Sequence, residues 1–101
     1  MLILFEWDSA KAESNWRRHG VKFELAKFAF SDPFALTEQD RVEGGERRWR
    51  TIGLVGGISV LFVAHTVEQR DQDEVIRIIS ARYATRKERI RYDENRTTDL
   101  G

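Results

Sequence analysis

No cysteine occurs among the 101 residues, which excludes a disulfide framework, a thiolate zinc site and a cysteine nucleophile. Proline and methionine occur once each, as Pro33 and Met1. Long apolar runs are missing too: Ile58 to Ala64, with one serine inside, is far short of the roughly 20 residues a membrane helix needs. Met1 to Phe5 is apolar, but Glu6 and Asp8 follow at once. No signal peptide is expected, and the cytoplasm is the expected compartment. Net charge is absent as well, because 17 Lys+Arg balance 17 Asp+Glu. A chain of this length forms one domain with a thin core. That domain is expected over residues 1–94, with a polar tail over 95–101.

The charge that is present is unevenly placed. Residues 1–40 hold five basic and seven acidic side chains, whereas residues 77–91 hold six basic ones and a single acid, Glu88. Thirteen of the 17 basic residues are arginine. Arginine offers a planar fork that matches phosphate or carboxylate bidentately, where lysine is a hydrated point charge. The bias points to anion recognition on one face, or to surface ion pairs.

Local patterns outline an α+β order. Phe5-Glu6-Trp7 alternates as a short edge strand. Asp8 or Ser9 caps a helix to about Arg18, closed by Gly20, with Ala12, Trp16 and His19 on one face. A second helix is predicted from Phe23 to Phe30 and ends at Ser31-Asp32-Pro33. The period then changes to that of strands: Phe34 to Asp40, Arg47 to Val55, Ile58 to Val67 and Val75 to Arg82. Gly56-Gly57 marks a tight hairpin. Thr85 with Glu88 three residues on is a capping box that opens a last helix to about Glu94. The expected fold is two N-terminal helices, an antiparallel sheet of about four strands and a C-terminal helix.

Candidate residues each carry two readings. His19, in the last turn of the first helix, is either a proton-transfer group or a favourable helix terminus, since the partial negative charge there stabilises imidazolium. His65, on the most apolar strand, reads as a hydrogen-bonded core residue. Two distant histidines without cysteine make no metal site, and no cofactor is expected. Arg47, Arg48 and Arg50 beside Trp49 suit RNA, through phosphate pairing and base stacking, or else form a solvated edge paired to Glu43 and Glu46. Strand parity puts Arg48 and Arg50 on one side and Arg47 and Trp49 on the other. Parity also separates Arg77 from Ser80 and Arg82, unless a bulge shifts the register. Arg86, Lys87, Arg89 and Arg91 read as the wet face of the last helix. No Gly-rich phosphate loop and no Ser/His/Asp order is present.

The residues in sequence resemble a known family. Phe5-Glu6-Trp7-Asp8, Lys11, Asn15 and Arg18-His19-Gly20-Val21-Lys22-Phe23 are similar to the opening signature of the BrnT toxins. Asp32-Pro33, Gly45-Glu46-Arg47-Arg48-Trp49 and the block from Arg77 to Arg89 look like its remaining parts. The resemblance spans about residues 5 to 92. One departure is Arg18, where the family usually has lysine: charge is kept, but a group able to lose a proton is replaced by one that cannot.

The resemblance implies a RelE-like fold and a toxin of a type II toxin–antitoxin pair, a metal-independent endoribonuclease that cleaves RNA and inhibits translation. It implies a BrnA-like ribbon-helix-helix antitoxin as partner, RNA as substrate, operator DNA only through the antitoxin complex, and no membrane. It nominates His19, Glu46, Arg47, Ser80 and Arg82 as catalytic positions, with Arg18, Arg48, Trp49, Arg50 and Arg77 binding RNA. Within that set His19 is assigned to proton transfer with Glu46 as partner, Arg47 and Arg82 to the scissile phosphate, and Trp49 to base stacking. Two rivals stand beside it: a non-nucleolytic toxin of the gyrase-inhibitor kind, and a binding module that co-represses a promoter with its antitoxin.

Overall fold

The computed structural model describes residues 1–100. The Asp8 side chain accepts hydrogen bonds from the backbone N–H groups of Ala10 and Lys11, at 2.8 and 3.2 Å, and so starts α1, Ser9–His19. Gly20, left-handed at φ 67°, closes it. The buried position of α1 is Asn15, while Trp16 stands out in solvent. The second predicted helix divides into α2, Phe23–Ala26, and a 3-10 turn, Lys27–Ser31.

Five strands follow the order β1-β5-β4-β3-β2. They are β1, Ile3–Glu6; β2, Leu36–Glu43; β3, Glu46–Val55; β4, Ser59–Arg70; and β5, Asp73–Tyr83. β2 to β5 form the expected antiparallel meander, with Gly56 and Gly57 at positive φ in the β3–β4 turn. The sheet has five strands rather than about four, because the edge strand read at Phe5-Glu6-Trp7 forms as β1, Ile3–Glu6, and pairs in parallel with β5, Ile3 opposite Glu74. A four-residue strand whose partner lies some seventy residues away leaves no hairpin signal in sequence.

The capping box forms as expected. Thr85 N–H donates to Glu88 Oε1 at 2.9 Å, and Glu88 N–H donates to Thr85 Oγ1 at 3.2 Å. The helix it opens, α3, runs over Arg86–Leu100 and so continues through most of the segment expected as a tail. Tertiary contacts carry it past Glu94. The Asn95 amide donates to the Phe34 carbonyl at 3.1 Å, and the Arg96 guanidinium lies over the Phe34 ring. Gly101, the rest of that expected tail, lies outside the described residues.

The two faces of the sheet differ. One is covered by α1, α2 and the 3-10 turn, which bury Val21, Phe23, Ala26 and Ala29 against Leu61, Val63, Ile78 and Ala81. Phe5, Phe30 and His65 extend this core as an aromatic chain, with ring centroids 5.3 and 4.8 Å apart. The other face carries α3 only at its β3 end, where Tyr92 and Ile52 are buried. Asp32 ties that corner together. It accepts from Leu54 N–H at 2.8 Å, Phe34 N–H at 2.9 Å and the Tyr92 hydroxyl at 2.5 Å. Burial alone would raise the Asp32 carboxyl, but these donors outweigh it and hold it below its ordinary range. Burial and the same carboxylate push the Tyr92 hydroxyl up to about 12.

Gly53 marks where the 3-10 turn presses on β3. A Cβ there would stand 2.5 Å from the Ala29 carbonyl oxygen, a backbone atom with nowhere to go. Gly53→Ala is therefore expected to cost about 2 kcal/mol, in the range of overpacked cores. The corresponding fall in Tm is roughly 10 °C for a domain of this size. Thermal unfolding followed by circular dichroism checks this, and an unchanged Tm would show that the turn moves freely.

Candidate active site on the open face of the sheet

Most of the second face is uncovered, and its composition follows from register. β4 alternates regularly, so Phe62, Ala64, Thr66 and Glu68 share this face. Opposite them on β5 stand Arg82, Ser80, Arg77 and Val75. His65 pairs with Ile78 while Ala64 pairs with Ser80, so Ile79 is an extra residue without a β4 partner. This bulge is the register shift that parity alone required. It brings Arg77 onto the same face as Ser80 and Arg82. From β3 come Glu46, Arg48 and Arg50 by parity, and from β1 comes Glu6, opposite Arg77.

One cleft opens here and a second at the neighbouring edge of β5, and no residue lines both. The larger, about 290 Å³, is bordered by Glu6, Glu46, Arg47, Thr66, Glu68 and Arg77 among others. Its centre is an ion pair, with Arg77 Nη2 donating to Glu46 Oε1 at 2.6 Å. Arg48 Nε lies 3.4 Å from the same oxygen but out of hydrogen-bond alignment, and is the one buried side-chain nitrogen or oxygen without a partner among the described residues. The smaller cleft, about 130 Å³, lies between α1 and the free edge of β5. Lys11, Ser14, Asn15, Arg18, His19, Ile79 and Ser80 line it.

The nominated residues are thus distributed over several places. Glu46, Arg77 and Arg47 border the larger cleft; His19, Ser80 and Arg18 line the smaller one. Arg82 sits between α3 and β4, in a bidentate pair with Glu88 at 2.8 and 3.0 Å and 4.0 Å over the Phe62 ring. That pair, against the effect of burial, holds the Glu88 carboxyl below its usual range. Arg50 pairs with Glu38 and Asp40. Trp49, opposite His65, belongs to the helix-covered face, and parity directs Arg47 the same way. His19 and Glu46, paired as proton-transfer partners in the sequence reading, stand in different clefts.

His65 is a core residue, as its strand suggested. Its Nε2 is 2.8 Å from Thr51 Oγ1, which in turn is 2.8 Å from Thr37 Oγ1. Burial pushes its pKa down to about 4, so the ring is neutral near pH 7. Sequence reasoning left Lys11 and Ser14 out of the candidate set. Their spacing with Asn15, Arg18 and His19 is that of one helix face, which was the available signal. Among the described residues no three His, Asp or Glu side chains converge as metal ligands, and no helix is long and apolar enough to cross a membrane.

Comparison with known proteins bears on what this face does. Residues 7–88 match the family described as the ribonuclease toxin, BrnT, of type II toxin–antitoxin systems. No curated protein matches the chain. Among solved structures, the Brucella abortus ribonuclease toxin BrnT is similar at 23% identity and a TM-score of 0.56. The similarity covers 85% of this chain and 99% of that one. At that identity the likeness is one of fold.

Proposed function

The chain belongs to the BrnT family of ribonuclease toxins of type II toxin–antitoxin systems, and from that premise we propose that it is a metal-independent endoribonuclease whose cleavage centre is the Glu46–Arg77 cleft. The observation that carries this reading is the 2.6 Å Glu46–Arg77 pair, with the unpartnered Arg48 Nε beside it. Cleavage of RNA by its own 2′-hydroxyl needs a base at that oxygen and cations at the phosphorus. Glu46 takes the 2′-hydroxyl proton, and the 2′-oxygen then bonds to phosphorus. Arg77 and Arg48 stabilise the charge that builds on the phosphoryl oxygens. The bond to the 5′-oxygen breaks, and that leaving oxygen takes a proton from water. The products are a 2′,3′-cyclic phosphate and a 5′-hydroxyl. At about 290 Å³ this cleft approaches the size range of ligand sites, roughly 300 Å³ upward, whereas the smaller one does not.

Family membership implies a protein antitoxin. In this reading it is a BrnA-like ribbon-helix-helix protein, operator DNA is met only in the antitoxin complex, and a RelE-like domain inhibits translation in the cytoplasm. The test is cleavage of an end-labelled RNA by the purified chain in EDTA. Cutting that leaves a 2′,3′-cyclic phosphate is expected. No cutting of free RNA or of ribosome-bound message, with growth inhibition retained, would transfer the assignment to a non-nucleolytic toxin.

A further inference from the structure

The smaller cleft, at the β5 edge, differs electrostatically from the open face. Arg48, Arg50, Arg77 and Arg82 each have a carboxylate within ion-pair distance, as does Arg91 of α3 with Glu38. No carboxylate lines the α1–β5 cleft. Among the described residues Lys11, Arg18 and His19 have no ion-pair partner. Asn15 cannot compensate them, because its amide is consumed by the backbone of Val21 and Ala81. Lys11, Arg18, His19, Ser14 and Ser80 therefore border a space of about 130 Å³ without an acidic neighbour. That is room for a phosphate group and too little for a nucleotide.

We propose that this cleft is a second phosphate-binding site, which holds a non-scissile phosphate of the RNA strand beside the cleavage centre. The inference rests on the assignment of cleavage to the Glu46–Arg77 cleft. Ser80 stands three residues beyond Arg77 on β5, about 10 Å at the usual strand rise. Arg77 borders the larger cleft and Ser80 the smaller one, so an RNA strand running along β5 meets the two clefts in succession. Lys11 and Arg18 supply charge, and Ser80 a hydrogen bond, to a phosphate that does not react. His19 becomes a binding residue here rather than a proton carrier.

The experiment measures binding of a fluorescent 2′-O-methyl RNA 12-mer, which has no 2′-hydroxyl to attack, over a range of NaCl concentrations. For the double variant Lys11→Ala, Arg18→Ala the Kd at 0.1 M salt is expected to rise about tenfold. The slope of log K against log salt is expected to fall by about 0.7, the amount for one neutralised phosphate on a single strand. Arg86→Ala, Lys87→Ala removes the same charge from the start of α3 and is expected to change Kd less than twofold. Equal losses in the two double variants would overturn the proposal, since net charge alone would then explain them. So would a Lys11→Ala, Arg18→Ala protein that binds as the parent does. Cleavage of ordinary RNA by Glu46→Gln separates the two assignments. If that variant cuts normally, the cleavage centre has been misplaced, while the salt slope still judges this cleft.

Discussion

Replacing Glu46 by glutamine is expected to lower the rate of RNA cleavage by a factor of about 10² to 10⁴, the usual contribution of a positioned general base. In energy this is about 2.7 to 5.5 kcal/mol of transition-state stabilisation. Glutamine keeps the shape of the side chain and an acceptor for Arg77, so the cleft survives while the base is lost. The measurement is the single-turnover rate at saturating RNA, with circular dichroism confirming an unchanged fold. Arg77→Ala is expected to fall by about 10² to 10³, as when one donor to a developing oxyanion is removed. If Glu46→Gln cleaves at the parental rate, the base lies elsewhere and the mechanism fails at its first step. If neither variant changes growth inhibition, toxicity does not run through this cleft.

The second large effect concerns stability. Asn15→Ala is expected to destabilise the domain by about 4 kcal/mol, a large share of the 5–15 kcal/mol typical of small proteins. β1 covers β5 only from Glu74 to Arg77, which leaves the edge beyond it without a neighbouring strand. Asn15 takes the place of that strand. Its amide donates to the Ala81 carbonyl at 2.8 Å, its oxygen accepts from Ala81 N–H at 3.0 Å, and the amide donates again to Val21 at 3.0 Å. Alanine would leave three buried backbone groups unpaired, at about 1–3 kcal/mol each before relaxation. A fall in Tm of roughly 20 °C is expected in thermal unfolding. Asn15→Asp keeps the oxygen but sets a carboxylate against the Ala81 and Val21 carbonyls, and it should be no more stable. A Tm within a few degrees of the parent would mean that water replaces the amide at this edge.

These two residues illustrate what could be read in advance. Glu46 and Arg77 were nominated through their place in sequence blocks, but their ion pair bridges 31 positions. Nothing in either block states that the two meet. Asn15 was noticed only as part of a signature, and its role depends on a strand edge 66 residues away. His65 is the opposite case. An apolar strand around a lone histidine already described a buried, neutral ring, and the structure adds only the identity of its Thr51 partner.

Sequence by itself determined the local grammar of this protein: the Asp8 cap, the Gly20 stop, the Gly56-Gly57 turn, the Thr85–Glu88 box and the alternation of the central strands. Each depends on side chains within a few residues, whose conformational preferences act before any tertiary contact forms. Tertiary structure decided the rest. The parallel strand β1, the Ile79 bulge that unites Arg77 with Ser80 and Arg82, and the extension of α3 beyond Glu94 all arise from contacts between distant segments. The distribution of the nominated residues over two clefts and the surfaces around them was settled at the same level. A strand's register fixes which face every side chain takes, and register is set by the partner strand rather than by the strand's own residues.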